Sequence, residues 1–492
     1  MTPVPHVLVC GAGLTGLTTA WHLRQEGVDV TVLEASDELG GVMRTTQHDG
    51  YLVEHGPNSC MLTAELADLV ETLGLEPLLR PAAPAAQRRY IVRDGRALAV
   101  PMSPVAMLRS PLFSLAAKLR LLREPFVARR NADDDESVAG FIRRRLGSEP
   151  LTWAVDPFVS GVYAGDPEQL SVTHAFPRLA ALEREHGSIA RAAFAGAKRG
   201  HRERRTGESG AKRPTMVSFV DGMATLPHAI ADDIGGANII RRTRVTAIAL
   251  TRGKCSVTVE RDGATATLEA DAVVSTLPMH TFQAIGLPEG TGQALAQLGS
   301  LPYPPVASLA LGYRRADVAH PLDGFGCLIP SAERRSTLGV LFSSTLFSGR
   351  APEDRVLLTC FLGGVRHPEL GLATTASLLK VVTPELAEIL GVSGAPTLVE
   401  HTSWPHAIPQ YNLGHGAHAR AADAIEAIVP GLIVDGQFRR GVSVGDCVAA
   451  GATIATRALA IAIARSGAAG AGRGETALGA SPMLYSAPAA VA

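Results

Sequence analysis

His6-Val7-Leu8-Val9-Cys10 runs directly into Gly11-Ala12-Gly13-Leu14-Thr15-Gly16, and Asp29-Val30-Thr31-Val32-Leu33 ends on Glu34. The first five residues read as a short buried strand. A helical pattern follows to about Arg24, Gly27 closes it, and Asp29–Leu33 reads as a second strand. The glycines fall at the turn between strand and helix, as in a dinucleotide-binding β-α-β unit. Gly11 allows the tight turn, Gly13 lets a pyrophosphate approach the backbone, and Gly16 lets helix and strand pack closely. The helix start offers N–H donors and partial positive charge to phosphates. Glu34 stands where a carboxylate can accept from ribose hydroxyls. A glycine triplet alone fits any tight turn; strand, turn, helix, strand and acid together point to a bound dinucleotide.

Ala35-Ser36-Asp37-Glu38-Leu39-Gly40-Gly41-Val42-Met43-Arg44-Thr45 comes next. Gly40 and Gly41 permit a second close backbone approach, and Arg44 adds a fixed cation. A plain nicotinamide dehydrogenase has no need of this segment. It resembles the extended FAD fingerprint of the amine oxidase and carotenoid desaturase superfamily, which makes FAD the expected cofactor.

Further segments narrow the resemblance. Gly56-Pro57-Asn58-Ser59 follows a strand pattern at Tyr51–Glu54. Asp156-Pro157-Phe158-Val159-Ser160-Gly161-Val162-Tyr163-Ala164-Gly165-Asp166 precedes Leu170-Ser171 and Ala175-Phe176-Pro177. Gly324-Phe325-Gly326-Cys327-Leu328-Ile329-Pro330, Ile408-Pro409-Gln410-Tyr411-Asn412-Leu413-Gly414-His415 and Gly441-Val442-Ser443-Val444-Gly445-Asp446-Cys447 complete the series. In this order, over about residues 6–465, they resemble the protoporphyrinogen oxidase family, flavoenzymes of late haem biosynthesis.

The resemblance implies an α/β fold with a Rossmann-like FAD-binding domain (1–85, 215–280 and 425–465) and an inserted mixed-sheet substrate domain (86–94 and 281–424). It adds a helical membrane-associating domain (95–214), and a disordered tail is expected over 466–492. FAD would be held by Gly11, Gly13, Leu14, Thr15, Gly16, Glu34, Gly40, Gly41, Arg44, Gly56, Pro57, Asn58 and Ser59. Val245 on a later strand, Trp404, and Val442, Val444 and Asp446 at the last helix complete that set. The glycine-rich turn into the last helix would point N–H groups at the electron-rich edge of a reduced flavin. Arg89 would meet a substrate propionate, because a planar guanidinium pairs bidentately with carboxylate; Arg88 and Arg93 are nearby competitors. Gly161, Phe325 and Leu328 would line an apolar slot over the flavin. Two positions depart from the family: Gly445 replaces the usual Asn, and Ser443 stands where Gly or another small residue is frequent.

The implied activity is oxidation of protoporphyrinogen IX to protoporphyrin IX. It removes six electrons and six hydrogens in three flavin turnovers, with oxygen as acceptor and peroxide as product. Pyrrole N–H protons can leave to solvent, so no side-chain base is assigned; the protein positions and the cofactor reacts. Coproporphyrinogen III, with four carboxylates instead of two carboxylates and two vinyls, is the alternative substrate. An amine oxidase would place a Lys near the flavin on a strand aligned with 300–315, and Ser300–Arg315 contains none. Glu34, Gly40, Gly41 and Arg44 argue against a flavin-free prenyl-chaperone of the same fold.

Composition bounds the remaining classes. The 492 residues are 46% apolar, which excludes disorder as the main state and allows about three domains at roughly 150 residues each. Basic and acidic residues number 46 and 47, a net charge of −1, without the basic balance of a nucleic-acid binder. The six cysteines form no C-x-x-C pair, so no metal site is expected. The sequence shows no leader pattern, and a reducing, cytoplasmic setting is the expectation. The apolar stretch near the C-terminus is broken by Asp446 and Arg457, which argues against a membrane span. Met102–Arg130 reads as one amphipathic helix with Leu108, Leu112, Leu115, Leu119 and Leu122 on a stripe. Its bases Arg109, Lys118, Arg120, Arg123, Arg129 and Arg130 face one acid, Glu124, and a further basic run occupies 198–213. Such a stripe beside cations suits peripheral contact with an anionic membrane, here its cytoplasmic face; a core-packed helix with a solvated loop is the plainer reading. The expected partners are a porphyrinogen, oxygen and this membrane surface, with a homodimer left open.

Overall fold

The computed structural model describes residues 4–102, 104–130, 135–193, 195, 215–251 and 253–471. Two sheets organise an α/β fold. The first holds five parallel strands in the order Ile239–Ile240, Asp29–Leu33, His6–Cys10, Ala272–Ser275 and Leu432–Val434. Parallel strands covered on both faces read as continuous apolar runs, as Val7-Leu8-Val9 and Ala272-Val273-Val274 do. Val7 and Val9 face the first helix, Leu14–Gln25, and the last, Val444–Ala471. Leu8 and Cys10 face the opposite way, toward Phe282, Ile425 and an antiparallel three-stranded sheet. That sheet turns at Asp262 and Gly263, both at positive φ as a two-residue hairpin requires.

By length and composition, Val444–Ser466 could cross a membrane. Its apolar face is instead occupied: Ala450, Ile454, Ala458 and Ala462 are buried in the core beside the five-stranded parallel sheet. Gly451 lies against the first helix, where a Cβ would stand 2.6 Å from Thr18 Cβ. Asp446 and Arg457 therefore interrupt neither the helix nor its packing. The helix runs on to Ala471, beyond the expected end near Arg465 and into the stretch expected to be disordered; residues 472–492 lie outside the described residues.

The second sheet is mixed, in the order Leu398–Trp404, Val306–Arg314, Arg355–Gly363, Thr337–Leu341, Gly326–Leu328, Tyr90–Arg93 and Arg96–Ala99. Its parallel pair sets Tyr90–Arg93 beside Gly326–Leu328, with Cys327 opposite Tyr90 and Leu328 opposite Ile91. Leu378, Val382 and Leu386 of the Thr375–Leu390 helix pack against its core.

Met102–Arg130 is not one helix. Pro104–Arg109 and Leu115–Leu121 are separate, because Pro111 cannot continue a helix and disfavours helical backbone before it. Ser114 starts the second, its hydroxyl accepting from the Ala117 N–H at 3.2 Å. The expected apolar stripe splits as well. Leu112 is buried, whereas Leu115, Leu119, Leu122 and Phe126 are 72%, 55%, 71% and 84% exposed. Beneath them, buried Glu124 accepts from Arg145, the Ser188 hydroxyl and the Ile189 and Ala190 N–H groups, which ties the segment down. The basic run at 198–213 lies outside the described residues.

Candidate functional site

The first glycine turn separates its residues as the sequence suggests. Gly11 adopts φ +101. A Cβ on Gly16 would overlap the Gly11 carbonyl oxygen, whereas one on Gly13 would meet no protein atom within 4 Å. Gly13 caps the first helix without any side-chain hydrogen bond, and the first turn carries no acid. Leu14, Thr15 and Gly16 therefore form a helix start whose positive end is left to a ligand. Glu34 is fixed beside this turn, accepting from the Ala12 N–H at 2.8 Å and from the Ser36 N–H and hydroxyl at 2.9 Å.

The second glycine pair joins the first. The Gly40 N–H donates to the Ala12 carbonyl at 2.8 Å, and Gly40 bridges Gly13 as an isolated parallel pair. Arg44 donates to the Gly41 carbonyl at 3.0 Å, pairs with Glu38 at 3.0 Å and lies 5.6 Å over the Trp404 ring. Trp404 donates from Nε1 to the His55 carbonyl at 2.9 Å, immediately before Gly56. A Cβ on Gly56 would overlap the Val42 carbonyl oxygen. Pro57, Asn58 and Ser59 continue half-buried, with Asn58 donating to the Gly56 carbonyl at 3.3 Å. The strand Thr243–Thr251 starts where the Thr243 N–H donates to the Glu34 carbonyl, so Val245 stands two residues beyond that junction, at a bulge.

Sequence reasoning missed the support under this cradle. Buried Glu54 accepts from the Thr45 hydroxyl at 2.6 Å and the Met223 N–H at 2.9 Å, and pairs with buried Arg350 at 3.2 Å. Burial pushes its carboxyl above the usual range, and Arg350, Thr45 and Met223 pull it back. Glu54 was visible as a strand end, but Arg350 lies in a distant, motif-free segment.

The C-terminal turn is built differently. The Asp446 N–H donates to Ser443 Oγ at 3.1 Å, and the Ser443 N–H donates to Asp446 Oδ2 at 3.2 Å, a reciprocal cap. Asp446 thus partly serves its own helix start. Val444 is buried in the core beside the five-stranded parallel sheet, while Val442 packs toward the helical cluster. The Thr15 hydroxyl bonds the Cys447 thiol, which joins this turn to the first helix. Both family departures gain a local reason. Ser443 is the cap, and a Cβ on Gly445 would stand 2.8 Å from Thr63 Cγ2.

Around the residues expected to meet substrate, Arg88 pairs with Asp323, and Arg93 pairs with Glu149 at 3.3 Å over the Trp153 ring. Arg89 lies exposed 5.4 Å over the Phe325 ring, with no carboxylate partner among the described residues. A Cβ on Gly161 would overlap Leu328 Cδ2. The structure thus brings Arg89 to Phe325 and Gly161 to Leu328, though Phe325 and Leu328 belong to separate apolar clusters. Arg366 braces the second pair: it reaches Asp156 at 3.4 Å, Ser160 Oγ at 2.9 Å and the Ile329 carbonyl at 3.0 Å. Burial depresses its basicity, and Asp156 opposes that. A cavity of about 750 Å³ opens on the Arg88 side, lined by Val100, Met102 and Arg109 among others and by none of the cradle glycines.

This constellation suits a flavin dinucleotide. Gly13 leaves room for a pyrophosphate at an uncapped helix start, Glu34 suits a ribose, and two further glycine segments converge on the same place. The family model for flavin-containing amine oxidoreductases matches residues 14–459. The chain is 35% identical over 472 residues to protoporphyrinogen oxidase 2, chloroplastic/mitochondrial, of Arabidopsis thaliana, covering 90% of this chain and 92% of that one. It is 28% identical to coproporphyrinogen III oxidase of Bacillus subtilis (strain 168), covering 92% and 98%. Among solved structures it is similar in fold to an Exiguobacterium sp. 255-15 protein assigned as a protoporphyrinogen oxidase, with TM-score 0.79 at 22% identity over 94% of this chain and 100% of that one.

Proposed function

The chain belongs to the flavin-containing amine oxidoreductase family, and from that premise we propose that it oxidises protoporphyrinogen IX to protoporphyrin IX. The family implies FAD, which would supply two-electron oxidation with oxygen as the acceptor and peroxide as the product. The chain's own residues bind and orient. The Leu14–Gly16 helix start takes the pyrophosphate, Glu34 the ribose, and Arg89 a substrate propionate, while Gly161, Leu328 and Phe325 present apolar surface to the macrocycle. Protons leave the pyrrole nitrogens for water, so no side-chain base takes part.

The observation that carries this reading is Arg89, which unlike Arg88 and Arg93 has no carboxylate partner among the described residues and lies over Phe325. Coproporphyrinogen III is the second reading, favoured by the Bacillus subtilis relative. Its four carboxylates need more unpaired cations, and Arg88 and Arg93 already have acids. Anaerobic mixing with each porphyrinogen tests the choice: the flavin should bleach faster with protoporphyrinogen. Faster bleaching with coproporphyrinogen would reverse the assignment, and silence with both would end the reading.

The proposal includes peripheral attachment to an anionic membrane at its cytoplasmic face. Leu115, Leu119, Leu122 and Phe126 recur at helical spacing and are exposed, with Lys118, Arg120 and Arg123 between them. An apolar face flanked by cations suits an anionic lipid surface. Phosphatidylglycerol vesicles should float the protein at low salt, and Leu119→Asp should abolish flotation. No flotation of the wild type would remove this part.

A further inference from the structure

The segment Gln410–His415 carries part of the family resemblance but no assigned role. It lies outside the regular strands and helices apart from an isolated bridge at Asn412, yet Gln410, Tyr411 and His415 are buried. Besides bonds to Asp135, Gln169 and Pro302, its contacts lead to elements already assigned to the site. The Tyr411 hydroxyl donates to the Gln437 carbonyl and accepts from the Gly441 N–H at 3.0 Å. One oxygen thus closes both ends of the short Gln437–Arg440 helix. His415 Nε2 lies 2.7 Å from the Phe438 carbonyl within the same turn, and its ring lies 4.4 Å from that of Tyr411. Both groups are in the right state for this. Burial keeps the phenol protonated and the imidazole neutral, so Nε2 can carry the proton that it donates.

The segment's other side faces the substrate wall. Gln410 donates from Nε2 to the Tyr163 carbonyl at 2.8 Å, at the end of the Asp156–Tyr163 helix that carries Gly161. The Ser171 N–H donates to the Tyr411 carbonyl at 2.8 Å. Gly441 adopts φ +116, where a Cβ would stand 2.5 Å from Asp446 Oδ2, so this turn has little freedom to find another shape.

We propose that Tyr411 and His415 are positioning residues that hold the Gly441–Ser443 turn against the flavin edge and in register with the Gly161 wall. The proposal rests on the flavin reading above, and it assigns neither residue a chemical step. Buried hydrogen bonds to a backbone carbonyl and N–H are costly to leave unmade, so their loss should appear where the turn meets the cofactor.

Tyr411→Phe keeps the ring and its packing and removes the bridging oxygen. Amide exchange at Gly441 in the FAD-free protein should accelerate about tenfold, and FAD should bind about tenfold more weakly. The bound flavin's visible spectrum and midpoint potential should shift, and kcat should fall with KM unchanged. His415→Gln retains an N–H donor for the Phe438 carbonyl and should recover most FAD affinity, whereas His415→Ala should not. Wild-type FAD affinity, spectrum and midpoint potential in Tyr411→Phe would overturn the proposal. So would equal losses in His415→Gln and His415→Ala, which would mark a merely structural role. FAD affinity and midpoint potential need no porphyrinogen, so silence with both porphyrinogens would defeat the substrate reading alone.

Discussion

Two glycine-rich turns enter helices at this site, and they are opposites. The first, at Gly13, has no side-chain cap and no acid in its opening turn. The last, at Ser443, is capped reciprocally by Ser443 and Asp446. A helix start carries partial positive charge in both cases, but only the first leaves its donors unspent. On the proposed reading an anion such as pyrophosphate takes that place. The last has already met an acid of its own, so it has less to offer an anion. The arginines repeat the contrast: among the described residues Arg89 has no acid, while Arg88 and Arg93 are paired. Motif spelling does not distinguish spent from unspent donors.

The largest effects should come from the first turn. Gly16→Ala drives a methyl into the Gly11 carbonyl, an overpacking that costs about 1–3 kcal/mol. The protein should melt earlier without FAD and purify colourless. Gly13→Ala meets open space and should cost only about 0.5–1 kcal/mol in the FAD-free protein. It should still weaken FAD about tenfold to a hundredfold, because the methyl lies where the pyrophosphate approaches. Paired melting curves and FAD titrations separate the two. Full FAD affinity in Gly13→Ala would show that this start is not the phosphate site.

Next comes the arginine pair. Arg89→Ala should raise KM about tenfold or more with FAD still bound, since a charge-assisted carboxylate contact contributes about 1.5–3 kcal/mol. Arg88→Ala should change KM less than about fivefold, because its exposed pair with Asp323 contributes about 0–1 kcal/mol. Steady-state kinetics decide this, and unchanged kinetics in Arg89→Ala would place the propionate elsewhere. A smaller contrast should separate the acids. Glu34→Gln should weaken FAD about tenfold by replacing a charged acceptor. Asp446→Asn should act mainly through its helix start, at about 1 kcal/mol or less.

The first helix and its sheet were legible because their determinants are local. Gly11, Gly13, Gly16 and Glu34 lie within one β-α-β unit, and each spacing has a steric reason. Helix 102–130 was misread because its leucines keep a helical period across Pro111, and period alone cannot tell a buried stripe from an exposed one. Asp446 and Arg457 appeared to interrupt an apolar run, but a helix carries both while burying Ile454 and Ala458 on its other face. Arg350 under Glu54 and Arg366 beside Asp156 could not be read at all. Each acts on a residue far away in sequence, and neither stands in a motif.

Acid should sharpen the contrast between the turns with the smallest effect. Burial lowers the His415 imidazole from the usual 6.5 to about 4, with His174 and His418 adding to the shift and the bond to Phe438 and the Asp135 charge opposing it. Between these values the unfolded chain takes up a proton that the folded chain refuses. Stability is therefore full above about pH 6.5 and declines as pH falls toward 4. His280, also lowered to about 4 by burial and His406, contributes in the same direction. The part owed to His415 is the part that His415→Gln removes, so melting temperature should fall less steeply over this range in the variant. Amide exchange should report where the weakening lies. In acid, Gly441 should open sooner than Gly13, because His415 bonds the Phe438 carbonyl beside the last turn. Equal acceleration at both glycines would mean that protonation loosens the domain as a whole, and the two helix starts would then share one support.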